Sequence, residues 1–93
     1  MKMTINGKRY NSDTCEILAE FDHYSYSNNY SGTSSLLLAR DGTYLICRET
    51  NGQDCYLYDN MYVCGDPVDW LQGIALTDAQ ESRLVELGLI ELI

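Results

Sequence analysis

The stretch that decides the fold spans residues 36–50 and reads LLLARDGTYLICRET. Two apolar runs flank Asp41-Gly42, a pair that favours a turn because both residues tolerate unusual backbone angles. A second turn signal, Asn51-Gly52, follows at once. The pattern predicts an antiparallel meander of three strands, over residues 36–40, 43–50 and 53–58.

Two-residue turns would fix how these strands face each other. Leu38 would lie opposite Leu45, and Leu36 opposite Cys47. Both faces of the sheet would then be substantially apolar, so each needs cover from helices or from a partner. The same register places two like charges, Glu49 and Asp54, opposite each other at a hairpin tip, which destabilises a strand pair. Such a conflict indicates either a functional site or a solvated tip at which the cost is small.

Turn and capping signals extend this sheet toward the N-terminus. Asn6-Gly7 predicts a tight hairpin over residues 4–10. A helix is expected next, because Ser12 or Asp13 can cap it and because residues 17, 18 and 21 are apolar with helical spacing. The tyrosine- and serine-rich residues 23–35 are expected to form a loop or an irregular edge.

The C-terminal part carries weaker strand signals and one clear helix. Residues 61–64 and 73–76 could form short strands, separated by the break at 65–67. Thr77, with Gln80 three residues later, predicts a capped helix that ends at Gly88. The apolar tail 89–93 is expected to pack on the sheet or against a second copy. The fold class is therefore α+β, a single domain of residues 1–93, with a small antiparallel meander and one helix near each end of the chain.

Several functional classes are not supported by the residues present. No apolar segment is long enough for a secretory signal or a membrane span, so we expect a cytoplasmic chain. The four cysteines lack C-x-x-C spacing and are expected to be small buried hydrophobes, with no disulfide, metal or cofactor. No phosphate-binding, hydrolase or metalloprotease motif is present. We therefore expect a protein that is not an enzyme.

The charge is strong and unevenly distributed. The chain has 14 acidic and 6 basic residues, for a net charge of −8. Residues 1–48 contain five of each sign, so the whole net charge belongs to residues 49–93. This charge argues strongly against direct binding of nucleic acid, and we expect the chain to attract basic surfaces, of which DNA-binding grooves are the most common. Carboxylates two residues apart on a strand are about 6.6 Å apart, a scale similar to that of successive phosphates.

The N-terminal residues 3–21, MTINGKRYNSDTCEILAEF, carry a family resemblance. They resemble an M-T-I-x-G-K-x-Y-x-T-x-T-A-x-x-I-A-E-Y opening found in small acidic proteins of phages and mobile elements. Residues 42–46 and 76–81 stand where those proteins have a G-x-Y/F-x-L strand and an acidic helix. The chain departs from the pattern at Cys15, where alanine is usual, and after Arg48. Some proteins of this kind look like anti-CRISPR proteins that inhibit type I (I-C-like) effector complexes.

The resemblance implies an inhibitor in the cytoplasm of the host bacterium. It would bind the basic DNA-binding surface of a type I surveillance complex, such as the PAM-recognition subunit, and would exclude target DNA by mimicking it. The candidate contact residues come from the acidic half, with two aromatic side chains: Glu49, Asp54, Asp59, Asp66, Asp69, Tyr56 and Tyr58. The alternative is a non-enzymatic interaction module, or a homodimeric regulator that associates through residues 89–93.

Overall fold

A computed structural model describes residues 1–24, 30–50 and 59–93, with the side chains of residues 30 and 31 excluded. The elements are antiparallel strands followed by two helices, as the α+β class requires. They are β1 (Lys2–Ile5), β2 (Lys8–Asn11), a 3-10 turn (Ser12–Thr14), β3 (Glu16–Tyr24), β4 (Tyr30–Leu38), β5 (Tyr44–Thr50), β6 (Asn60–Val63), α1 (Pro67–Trp70) and α2 (Asp78–Glu86).

The strands form two sheets instead of one meander. β1 and β2 pair as a separate hairpin, and the other strands form a four-stranded sheet in the order β3-β4-β5-β6. The predicted turn of the first hairpin is confirmed: Asn6 and Gly7 both have positive φ, at 51° and 79°. A type I′ turn requires this conformation at both positions. The predicted third strand, residues 53–58, and its Asn51-Gly52 turn lie outside the described residues.

The predicted N-terminal helix is wrong, because residues 16–24 form β3. Asn11, and neither Ser12 nor Asp13, caps the short 3-10 turn that precedes the strand. A bulge between Ile17 and Ala19 interrupts the pairing with β4. As a result, Leu18 and Ala19 are both buried in the same cluster. The bulge places the adjacent residues Leu18 and Ala19 on one side of the strand. The apolar residues therefore do not alternate as in a regular strand, and their spacing was misread as that of a helix. The predicted loop over 23–35 is also wrong where it is described, since β3 extends to Tyr24 and β4 begins at Tyr30.

The register between β4 and β5 differs by one residue from the prediction. Leu37 pairs with Leu45, and Leu36 with Ile46. The connection has three residues instead of two: Gly42 N–H donates to the Ala39 carbonyl at 3.0 Å, and Gly42 has φ of 88°. Such three-residue hairpin loops consist of a type I turn followed by a residue in the left-handed region, here Gly42, which forms a G1 bulge. Because side chains alternate between the two faces of a strand, this shift by one residue places each side chain of β4 on the opposite face from the one predicted relative to β5.

Both faces of the four-stranded sheet are covered, as the sequence predicted. The side that packs on the β1–β2 hairpin, here called the hairpin face, buries Tyr10, Leu37, Ala39, Leu45, Cys47 and Met61. The side that packs on the helices, here called the helix face, buries Leu18, Ala19, Leu36, Ile46, Leu71 and Leu84. Cys47 is buried as expected of a small hydrophobe, while Cys15 and Cys64 are partly buried.

The C-terminal region follows its capping signals. Thr77 and Gln80 form the predicted capping box of α2, and Gly88 ends the helix with φ of 75°. Residues 60–63 form the expected fourth strand, but residues 73–76 form no strand: they follow α1 through a turn at Gly73. Leu89 and Ile90 pack on the helix face, whereas Leu92 and Ile93 are exposed. In the described residues, no helix combines the length and apolar character needed to cross a bilayer.

One carboxylate fastens the hairpin to the sheet. Asp41 accepts hydrogen bonds from Thr43 N–H, Lys8 Nζ and Tyr10 OH, each at 3.0 Å. The Thr43 backbone N–H and the Lys8 ammonium hold the pKa of Asp41 well below its ordinary value of 3.8. A carboxyl whose pKa is lowered by folding stabilises the native state above its unfolded pKa, and this contribution is lost as the pH falls through the folded pKa.

We expect Asp41→Asn to lower the thermal unfolding midpoint at pH 7. The difference in midpoint between the variant and the parent chain should become smaller as the pH falls below 4, because Asp41 of the parent becomes protonated. The amide keeps one acceptor for Thr43 but loses the charge that holds Lys8. Thermal denaturation followed by circular dichroism from pH 7 to pH 2 measures this effect. Glu91→Gln, at an exposed position of the tail, is the matched control and should leave the pH profile unchanged. A constant difference at every pH would contradict the assignment.

Candidate functional site

Glu49 lies at the end of β5 on the hairpin face. Its neighbour two residues back, Cys47, belongs to the buried cluster of that face. Glu49 pairs with Thr33 on β4, one step from Gly32. A Cβ on Gly32 would collide with the carbonyl of Glu49, so glycine permits the close approach of the two strands here. The glycine thus helps to fix the position of Glu49.

Two further carboxylates reach the same face from β3. Across β4, Glu20 is aligned with Cys47, because both residues pair with Ser35. Asp22 is aligned with Glu49 in the same way, through Thr33. Glu20 and Asp22 are about 6.6 Å apart along their strand, and two strand spacings, about 10 Å, separate them from β5. These three residues, Glu20, Asp22 and Glu49, are here called the acidic face.

Neighbouring side chains orient these carboxylates. Thr33 Oγ1 donates to Asp22 Oδ1 at 2.9 Å, and Ser35 Oγ lies 3.5 Å from Glu20 Oε2. Cys47 Sγ lies 3.8 Å from Glu49 Oε1. Burial, reinforced by the charge of Glu49, raises the pKa of the Cys47 thiol to about 11. The thiol therefore stays protonated at neutral pH and is a poor nucleophile.

The acidic face carries charge without a cationic partner in the chain. The described ion pairs are Lys8–Asp41, Arg83–Glu16 and Arg83–Glu86. Residues 25–29 and 51–58 contain no Lys, Arg or His, so every basic side chain lies in the described ranges. None of these side chains forms an ion pair with the described Glu20, Asp22 or Glu49. The N-terminal ammonium, which donates to Ser12 Oγ at 2.9 Å, forms no ion pair with them either. The charge of these three described carboxylates is therefore available to an external cation.

A cavity of about 270 Å³ opens between the 3-10 turn and this part of the sheet. Carboxylates, hydroxyls and apolar groups share its wall. The lining residues are Ser12, Asp13, Ile17, Glu20, Thr33, Ser35, Leu37, Cys47 and Glu49. The cavity thus joins two residues of the acidic face to a third carboxylate, that of Asp13.

The predicted site residues do not form one surface. Asp59 borders the acidic face, because its Oδ1 accepts a hydrogen bond from Thr50 N–H at 2.7 Å. Asp66 and Asp69 instead belong to the start of α1, where Asp66 Oδ1 accepts from Asp69 N–H. That helix continues into Leu71, which is buried on the opposite, helix face. The remaining candidates, Asp54, Tyr56 and Tyr58, lie outside the described residues.

Sequence reasoning missed Glu20 and Asp22 because it placed them in a neutral half of the chain and on a helix. Their i, i+2 spacing was the available signal, since it brings both side chains to one face of a strand. Three of the five basic residues of that half lie away from the acidic face. Lys8, Arg9 and Arg40 line a separate cavity beside the hairpin and the β4–β5 turn. The first half of the sequence, although neutral in sum, therefore contributes two carboxylates to the acidic face.

A polar cluster on the helix face combines a histidine and a serine. His23 Nε2 lies 2.6 Å from Ser34 Oγ, and burial together with Arg48 lowers the pKa of His23. A hydroxyl acting as a nucleophile must reach a substrate. Ser34 is only 2% exposed, and the ring of Phe21 packs edge-on against His23 with centroids 4.8 Å apart. The hydrogen bond between His23 and Ser34 is therefore a structural contact within the sheet, since Ser34 is too buried to reach a substrate.

Comparison of the chain with protein-family models, curated protein sequences and solved structures gives no significant match. The functional interpretation therefore rests on the residues and on the geometry of the acidic face. Within the three described ranges, no three His, Cys, Asp or Glu side chains are grouped so that they could hold a metal ion.

Proposed function

We propose that this chain is an inhibitory binding protein that applies its acidic face to a basic, DNA-binding surface of another protein. The observation that carries the proposal is the set of carboxylates on Glu20, Asp22 and Glu49, which have no ion-pair partner among the described residues. They lie on β3 and β5, the two strands that flank β4, so one sheet presents their negative charge to a partner. Fixed charge of this kind steers association and selects basic surfaces over others.

The resemblance of residues 3–21 directs the proposal to a specific target. It makes that target a type I CRISPR effector complex, and the chain an anti-CRISPR protein that competes with DNA. A surface that binds DNA is built to contact phosphates with Lys and Arg. Carboxylates spaced by a strand repeat can engage such side chains. The contacts would come from the acidic face, with Asp59 at its border.

The second candidate function is self-association as a homodimeric regulator. It is favoured by the exposed apolar end of the tail, where Leu92 is 65% exposed and Ile93 is fully exposed. Sedimentation equilibrium separates the two functions. A homodimer gives twice the monomer mass, and its formation would not depend on DNA or on a basic partner.

A DNA competition assay tests the proposal. We expect the purified chain, added to a type I effector complex, to reduce the fraction of target DNA bound in a gel shift. Additional DNA should restore binding, because the two compete for one surface. Direct binding of the chain to the complex should weaken when salt rises from 50 to 200 mM, since the contacts are ionic. Undiminished DNA binding at saturating chain would contradict the proposal for that complex.

A further inference from the structure

The cavity beside the acidic face has a composition that indicates its occupant. Ile17 and Leu37 form an apolar part of its wall, and Ile17 remains 54% exposed. Asp13, Glu20 and Glu49 contribute carboxylates from three different elements, the 3-10 turn, β3 and β5. A group that suits this wall needs an apolar stem and a positively charged end. Lys and Arg side chains have this construction.

We propose that the cavity binds an arginine side chain of the partner. This inference rests on the proposed function for the basic character of that partner. Arginine fits better than lysine because its planar guanidinium has five N–H donors in a fixed arrangement. The cavity lining includes three acidic residues, Asp13, Glu20 and Glu49, whose carboxylates can accept such donors. Lysine would carry only three donors on a compact, strongly hydrated head.

No basic side chain of this protein lines the cavity. All six basic residues lie in the described ranges, and none is among the residues that line this cavity. Lys8 and Arg83 are engaged with Asp41 and Glu16, respectively. The N-terminal ammonium lies beside the cavity, where it donates to Ser12 Oγ at 2.9 Å, but it forms no ion pair with the described carboxylates. A partly apolar cavity that is lined by three acidic residues and by no basic side chain is therefore complementary to an external guanidinium.

Binding of capped tripeptides tests this inference without any partner protein. The probes are acetylated and amidated Gly-Arg-Gly, Gly-Lys-Gly and Gly-Gln-Gly, titrated into the 15N-labelled chain. We expect the arginine peptide to produce saturable shifts at the backbone amides of Ile17, Ser35 and Cys47. The lysine peptide should bind more weakly, and the glutamine peptide should produce no saturable shifts.

Charge-neutral variants locate the effect. Glu20→Gln with Glu49→Gln should weaken arginine-peptide binding by about tenfold or more, since two charge-assisted hydrogen-bond acceptors are lost. Glu81→Gln with Glu91→Gln changes the net charge equally and should leave binding intact. The same spectra show whether each variant is folded. Equal binding of the lysine or glutamine peptide, no saturable shift, or equal loss in both variants would overturn the inference. The DNA competition assay is independent of these results, so the two proposals can fail separately.

Discussion

Substituting lysine for both Glu20 and Glu49 is expected to raise the concentration of chain needed to displace DNA by about 100-fold. Each substitution replaces an attraction with a repulsion at the centre of the acidic face. A combined loss of about 2.7 kcal/mol corresponds to this factor, and close charge pairs across interfaces reach that size. The gel-shift competition with a type I effector complex measures the change.

A matched variant separates local contact from net charge. Glu81→Lys with Glu91→Lys also changes the net charge from −8 to −4, but these residues lie on α2 and in the tail. This control should keep most of the inhibition and should mainly slow association at low salt. The circular dichroism spectra of both variants should match that of the folded parent chain. Equal losses of inhibition would mean that overall charge, and no particular face, drives binding.

Three local signals in the sequence correctly predicted local structure, although the capping signal at Ser12 and Asp13 did not. The Asn6-Gly7 turn, the Thr77–Gln80 capping box and the Gly88 helix end all occur as predicted. Each depends on backbone angles or hydrogen bonds among residues close in sequence, so no knowledge of the tertiary fold is required. The need for cover on both faces of the sheet was also predictable, because apolar residues occupy consecutive positions from Leu36 to Ala39.

Long-range features were not predictable from the same signals. Whether residues 16–24 form a helix or a strand depends on pairing with β4, and the bulge at Leu18 disguised the strand pattern. The register of β5 depended on one residue of loop length at Asp41-Gly42. Both errors affected the candidate site, since they separated Glu20 and Asp22 from Glu49. The division of charge along the sequence indicated an acidic protein, but only the sheet indicates which carboxylates lie together.

The largest effect on stability is expected at the centre of the four-stranded sheet. Leu36 and Leu37 are consecutive on β4, yet their exposed fractions are only 0% and 2%. Leu36 belongs to the helix face and Leu37 to the hairpin face. Replacing either leucine with alanine should lower the free energy of unfolding by roughly 2–5 kcal/mol, because it removes buried methyl groups and leaves a cavity. In a domain of this size, that is a large fraction of a total of about 5–14 kcal/mol.

Urea denaturation of both variants tests whether each face is covered. Leu36→Ala and Leu37→Ala should each cost about 2 kcal/mol or more, whereas Leu92→Ala, the same change at an exposed position, should cost less than about 0.5 kcal/mol. If one sheet face were open to solvent, one of the two β4 variants would behave like the Leu92 control. That result would contradict the two-sided core and, with it, the register that places Glu49 on the hairpin face. Comparable losses at Leu36 and Leu37 are therefore the outcome expected if the sheet holds the acidic face as a rigid surface.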